Sequence, residues 1–203
     1  MIAPPPAERL SLNTATVREQ WNLRQMIEAC ARHGIRGISP WRDKLDELGA
    51  QQAARLIRQH ELTVTGLCRG GMFPAADAAG RQAAIDDNRR AIDDAATIGA
   101  RCLVLVVGGL PAGSKYLAGA RQMVVDGIAA VLGHARASGV PLAIEPLHPM
   151  YCADRACVNT LDQALDLCDV VDPAPQGAAP SGAIGVAVDA YHVWWDPNLA
   201  RAL

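Results

Sequence analysis

Lysine and arginine never gather into a patch in this sequence: 19 of them against 21 aspartates and glutamates leave a net charge of −2, and no predicted helix carries a basic face. That argues against the broad electrostatic footprint of a nucleic-acid binder and leaves room for an anionic small molecule. No apolar run reaches the ~18 residues a membrane span needs. The opening stretch MIAPPPAERL lacks the basic-then-apolar layout of a signal peptide, so the expectation is a soluble, cytoplasmic protein. The six cysteines (Cys30, Cys68, Cys102, Cys152, Cys157, Cys168) form no CxxC pair and no dense spacing. They read as reduced core thiols rather than a disulfide framework. No G-x-G-x-x-G follows the first apolar stretch, which removes support for a dinucleotide site. Aromatics are scarce, at 4%, so where they fall carries weight.

What is present is apolar sequence that alternates between two periods. Half of the 203 residues are hydrophobic, enough to bury a core as one domain over 1–203. RLSLN reads as a strand; Leu23, Met26, Ile27 and Cys30 then recur at helical spacing, and Gly34 closes that helix. IRGIS is a second strand and Leu48 to His60 a helix. LTVTGLC is a third strand, followed by the glycine-containing loop RGGMFP and a helix from Ala79 to Ile98. CLVLVV, then an amphipathic helix through Val124, Ile128, Val131, Leu132 and Ala135, then VPLAIE continue the pattern. Thr160-Leu-Asp-Gln163 opens the next helix as a capping box, and the loop DPAPQGAAPSG leads to a sixth strand, AIGVAVD.

Six near-continuous apolar strands, each followed by a helix, mean a parallel sheet covered by helices. Polar residues collect just after the strand ends: Asn13, Ser39 with Trp41 and Arg42, Arg69, Glu145 with His148, and Asp189 with His192. Site residues spread over several strand ends are the habit of a (β/α)8 barrel. The expected fold is therefore an α/β TIM-barrel type, incomplete, with about six β/α units present and two absent.

Glu145 in AIEPLHP and Asp189 in VAVDAYHVWWDP each end an apolar strand, and consecutive parallel strands bring such ends together. Two converging carboxylates repel unless a divalent cation compensates them. Oxygen ligands favour Mn2+ or Mg2+, and added imidazole admits Co2+ or Zn2+. The competing reading is that each acid caps the segment after it. His148 and His192 lie three residues beyond the two acids, in matched positions for substrate contact or ligation. Phe73, Tyr191, Trp194 and Trp195 could equally wall a pocket or fill the core.

IEPLHP and VDAYH at the ends of successive strands resemble the xylose isomerase-like TIM-barrel superfamily, in particular its sugar phosphate isomerase/epimerase group. The resemblance implies one divalent metal, with Glu145 and Asp189 in the first two ligand positions and Glu145 also the catalytic base. It implies that His192 contacts substrate oxygen; His148, Arg69 and Trp41 are further substrate-binding candidates by their places after strand ends. The implied activity is isomerisation or epimerisation of a sugar or sugar phosphate through an enediolate. Alternatives are a metal-dependent dehydratase or lyase on inosose or keto-glycoside substrates, an abasic-DNA endonuclease, and a truncated, non-catalytic barrel acting as a binding or assembly subunit. A homo-oligomer is compatible with an incomplete barrel.

Overall fold

The computed structural model describes residues 6–152, 154–174 and 182–203. The loop DPAPQGAAPSG falls largely outside them. The chain divides into two compact units, Met1–Arg69 with Asp93–Leu103, and Gly70–Ile92 with Val104–Leu203.

In the first unit, β1 (Ser11–Asn13), β2 (Gly37–Ser39) and β3 (Thr63–Val64) form a parallel sheet in that order. Ser11 pairs with Gly37 and Asn13 with Ser39. A Cβ on Gly37 would sit 2.7 Å from the Ser11 Cβ, so glycine sets how closely these strands approach. Helix α1 (Leu23–Arg32) buries Leu23, Met26, Ile27 and Cys30, the stripe its spacing predicts. Asn22 and Gln25 exchange hydrogen bonds at 3.0 Å as a capping box. Gly34, at φ +69°, follows its end.

A helix that was not expected, α2 (Arg42–Leu48), precedes α3 (Ala50–Gln59), the helix expected from Leu48 to His60. Gly49 separates them at φ +86°, closing the first through its N–H on Leu45 O (2.7 Å) and opening the second through its carbonyl. LTVTGLC likewise yields two short strands, β3 and β4 (Leu67–Gly71), so the residues Arg69–Gly71 belong to a strand rather than to a loop.

By chain order β4 and β5 (Leu103–Val106) pass from residues of the first unit to residues of the second and α4 (Ala78–Ile98) from the second to the first, and the second sheet has the order β4-β5-β6-β7. Gly71 adopts φ +105°, and a Cβ there would lie 2.0 Å from Val106 O, so no other residue fits. Asn88, fully buried on α4, holds this position: its amide donates to Gly71 O (2.8 Å) while its oxygen accepts from Gly71 N–H (2.7 Å). Phe73 is 1% exposed and packs on Gly127 of α5 (Leu117–Ser138), which makes it core.

β6 (Leu142–Ile144) is buried throughout and pairs in parallel with half-exposed β7 (Ile184–Val186). Then α6 (Leu161–Val171) starts at Thr160, whose hydroxyl accepts from Gln163 N–H, as its sequence predicts. The chain closes with two one-turn helices, α7 (Ala190–Val193) and α8 (Leu199–Ala202). Among the described residues all six cysteines are free, and no helix is long and apolar enough to cross a membrane.

Candidate metal centre

Strand β6 ends at Ile144, and Glu145 follows with its N–H donating to Leu105 O at 3.0 Å. The strand pairing thus carries the glutamate to the C-terminal edge of the sheet with its side chain half-buried. Asp189 is not the last residue of its strand. β7 stops at Val186, Ala187 N–H donates to Ile144 O (2.9 Å), and Asp189 lies beyond as the N-cap of α7. Its Oδ1 accepts from Tyr191 N–H at 2.8 Å. Capping and ligation are therefore compatible, since the second oxygen stays available. One turn of α7 then places His192 beside its own cap residue. Ligand atoms of Glu145, Asp189 and His192 all lie within 4.8 Å of one another.

Burial, and then the charge of Asp189, push the Glu145 carboxyl up from 4.5 to about 7. Among the described residues, no hydrogen bond reaches that carboxylate and no Lys or Arg pairs with either acid. Burial lowers the His192 pKa, and Asp189 opposes the shift only in part. The ring nitrogens are assigned by their partners. His148 N–H donates to His192 Nδ1 (3.3 Å) and Met150 N–H to His148 Nδ1 (3.2 Å). Each neutral imidazole then carries its proton on Nε2.

Two crowded carboxylates without a compensating cation, next to an imidazole, are a donor set that fits a divalent ion. The oxygens supply the anionic ligation. His192 can ligate through a ring nitrogen or donate Nε2–H to a bound oxygen, but that nitrogen cannot do both at once.

Around the cluster sits an aromatic wall. His192 meets Tyr151 and Tyr191 edge-on at 5.5 and 5.0 Å, and the two tyrosine hydroxyls are 3.4 Å apart. His148 stacks on Trp194 and meets Trp195 edge-on. Trp195 Nε1 donates to His192 O at 2.8 Å. Sequence reasoning missed Tyr151 and Arg155, whose guanidinium lies 4.7 Å from the Tyr151 ring centroid; no strand-end signal marks the short 3-10 turn and loop that carry them. Asp196 is 5% exposed and accepts from Leu161 N–H and Asn198 N–H, both at 2.9 Å, tying the last segment to the start of α6.

Trp41 and Arg69 belong to the first unit. Trp41 Nε1 donates to Asn13 Oδ1 and its backbone N–H to Thr14 Oγ1, both at 2.9 Å, while the Arg18 guanidinium lies 5.7 Å from its ring centroid.

The family model described as xylose isomerase-like TIM barrel matches residues 27–202. Protein SMc04130 from Sinorhizobium meliloti 1021 is 60% identical, over 97% of this chain and 68% of that one, with a TM-score of 0.90. The IOLI protein, solved with a binding zinc atom, is 21% identical over 90% of this chain and 63% of its own, with a TM-score of 0.71. The apo form of 3-keto-D-glucoside 4-epimerase, YcjR, from E. coli is 21% identical over 90% and 69%, with a TM-score of 0.72. No curated protein matches the sequence. The likenesses at 21% identity establish the α/β barrel-type fold. The chain spans about two thirds of each of these three relatives.

Proposed function

The chain belongs to the xylose isomerase-like TIM-barrel family, and from that premise we propose that it is a divalent-metal-dependent isomerase or epimerase of a carbohydrate, working by proton transfer next to a carbonyl. The observation that carries the reading is the convergence of Glu145, Asp189 and His192 within 4.8 Å at the C-terminal edge of a parallel sheet. Epimerase and zinc-binding neighbours support it.

Glu145 and Asp189 would hold the ion, which when bound supplies charge compensation and Lewis acidity toward substrate oxygens. Each residue then has a task its surroundings prepare. Glu145, half-buried and without a hydrogen bond to its carboxylate, is the group that takes the proton from the carbon beside the carbonyl, leaving an enediolate. Asp189 is held in one rotamer by Tyr191 N–H, so its free oxygen keeps its position. His192, neutral with its proton on Nε2, donates that proton as a hydrogen bond to the substrate oxygen on which charge develops. His148 offers a second Nε2–H to a neighbouring hydroxyl. Returning that proton from Glu145 to the adjacent carbon gives an isomer, whereas an epimer needs a different proton, delivered to the opposite face of the same carbon by a donor other than Glu145. The partner is accordingly a small carbohydrate, not nucleic acid.

The test has two readouts. Protein purified without chelator should carry about one Mn, Mg, Co or Zn per chain, lost in Glu145→Gln. In D2O, ketose substrates should then exchange the hydrogen beside the carbonyl for deuterium, without loss of water. Water loss instead of exchange assigns a lyase. Bound metal with neither reaction across a ketose and keto-cyclitol panel refutes the proton-transfer reading.

A further inference from the structure

The two adjacent tryptophans after α7 are used differently. Trp195 is half-buried with its indole N–H bonded to His192 O, a structural position. Trp194 is 69% exposed, and its indole N–H has no partner among the described residues. Covering an exposed indole face with the apolar face of a ligand is favourable.

Trp194 is joined to the metal centre by contact. The His148 ring lies nearly parallel to it, with centroids 6.3 Å apart and 22° between planes, and the His148 N–H bonds to His192 of the cluster. Met150 N–H occupies His148 Nδ1, leaving Nε2–H as a donor next to the indole. The surroundings thus offer one flat apolar face, N–H donors from His148 and Trp194, and carboxylate acceptors. The guanidinium nearest this wall is committed: Arg155 lies 2.8 Å from Asp154 and over the Tyr151 ring. Among the described residues, this wall offers a phosphate no cation outside an ion pair.

We propose that Trp194, with His148 stacked against it, is a ring-stacking subsite for a neutral cyclic polyol, a pyranose or cyclitol, next to the Glu145 cluster. The C–H face of such a ring lies on the indole while its hydroxyls take the N–H donors. An open-chain polyol has no flat face to present, and a phosphorylated one adds charge the subsite does not meet. The proposal rests on the reading of the cluster as a carbohydrate site, and its test needs no turnover.

Binding to the Mg2+-supplied chain is measured by ligand-detected NMR titration with myo-inositol, methyl β-D-glucopyranoside, glucitol and glucose 6-phosphate. The rings should bind about tenfold more tightly than glucitol. Trp194→Leu should weaken ring binding about five- to tenfold and leave glucitol unchanged, while Trp194→Phe, which keeps an aromatic face, should retain most of it. Circular dichroism checks that both variants fold, as expected for so exposed a residue. Ring binding unchanged in Trp194→Leu overturns the subsite, as does an equal loss in Leu and Phe variants or a preference for the phosphate. Metal content of the same samples separates the two readings. One metal bound with no ring preference overturns the stacking subsite alone; ring binding that depends on Trp194 without metal overturns the metal centre alone.

Discussion

Replacing Glu145 by glutamine should stabilise the metal-free protein at alkaline pH while abolishing its response to metal. In the folded chain the carboxyl is pushed from 4.5 to about 7, by burial first and then by Asp189. The folded state therefore holds its proton more tightly than the unfolded state does. Stability is unaffected below about pH 4.5, falls as pH rises between 4.5 and 7, and stays reduced above. At about 1.36 kcal/mol per pKa unit the full penalty is about 3 kcal/mol, and discounting for the solvent that reaches a half-buried side chain leaves roughly 2 kcal/mol. Glutamine removes that penalty, so in EDTA at pH 8 the variant should unfold about 4–8 °C above the wild type, and at pH 4.5 the two should coincide. A divalent ion at 100 times its Kd should restore about 2.7 kcal/mol to the wild type and almost nothing to the variant. The assay is thermal and urea unfolding at both pH values, with EDTA and with Mn2+ or Zn2+. A variant less stable than the wild type at pH 8 in EDTA, or stabilised by metal to the same degree, would refute the idea of an uncompensated carboxylate pair.

Two substitutions away from the cluster test what holds it in place. Asn88→Leu strips the Gly71 N–H and C=O of their partners inside the core; a loss of about 3 kcal/mol is expected in urea unfolding, with metal content per folded chain unchanged. Asp196→Ala removes the acceptor of Leu161 N–H and Asn198 N–H. It should cost about 2 kcal/mol and speed hydrogen exchange at the start of α6 and through 196–203, with Asp196→Asn recovering part of the loss.

Much of the architecture was legible because local chemistry and burial agree. In α1 the apolar stripe, the Asn22 cap and Gly34 all specify one helix, and Thr160 and Gly139 bound α6 and α5 where their types predict. Reading failed where one residue's conformation overrides a pattern. The helix α2 went unread because Gly49 turns the chain at φ +86° directly after it, leaving Arg42–Leu48 too short to show a helical period. Arg69-Gly-Gly71 looked like a loop because glycine usually marks one. It is strand because Asn88, 17 residues later on α4, supplies hydrogen bonds to both polar groups of Gly71.

The sequence by itself determined that two acids stand just beyond neighbouring apolar strands, each followed at three residues by a histidine. That follows from β/α periodicity alone, because parallel strands put like ends side by side. Only the tertiary structure decided how the four residues divide. The cap on α7 draws His192 into the cluster with Glu145 and Asp189. His148, the N-cap of the 3-10 turn Pro149–Tyr151, joins the aromatic wall, where its backbone N–H fixes the His192 tautomer. Spacing specifies which residues share an edge; which of them meet depends on rotamers and backbone donors that come together only when distant segments pack.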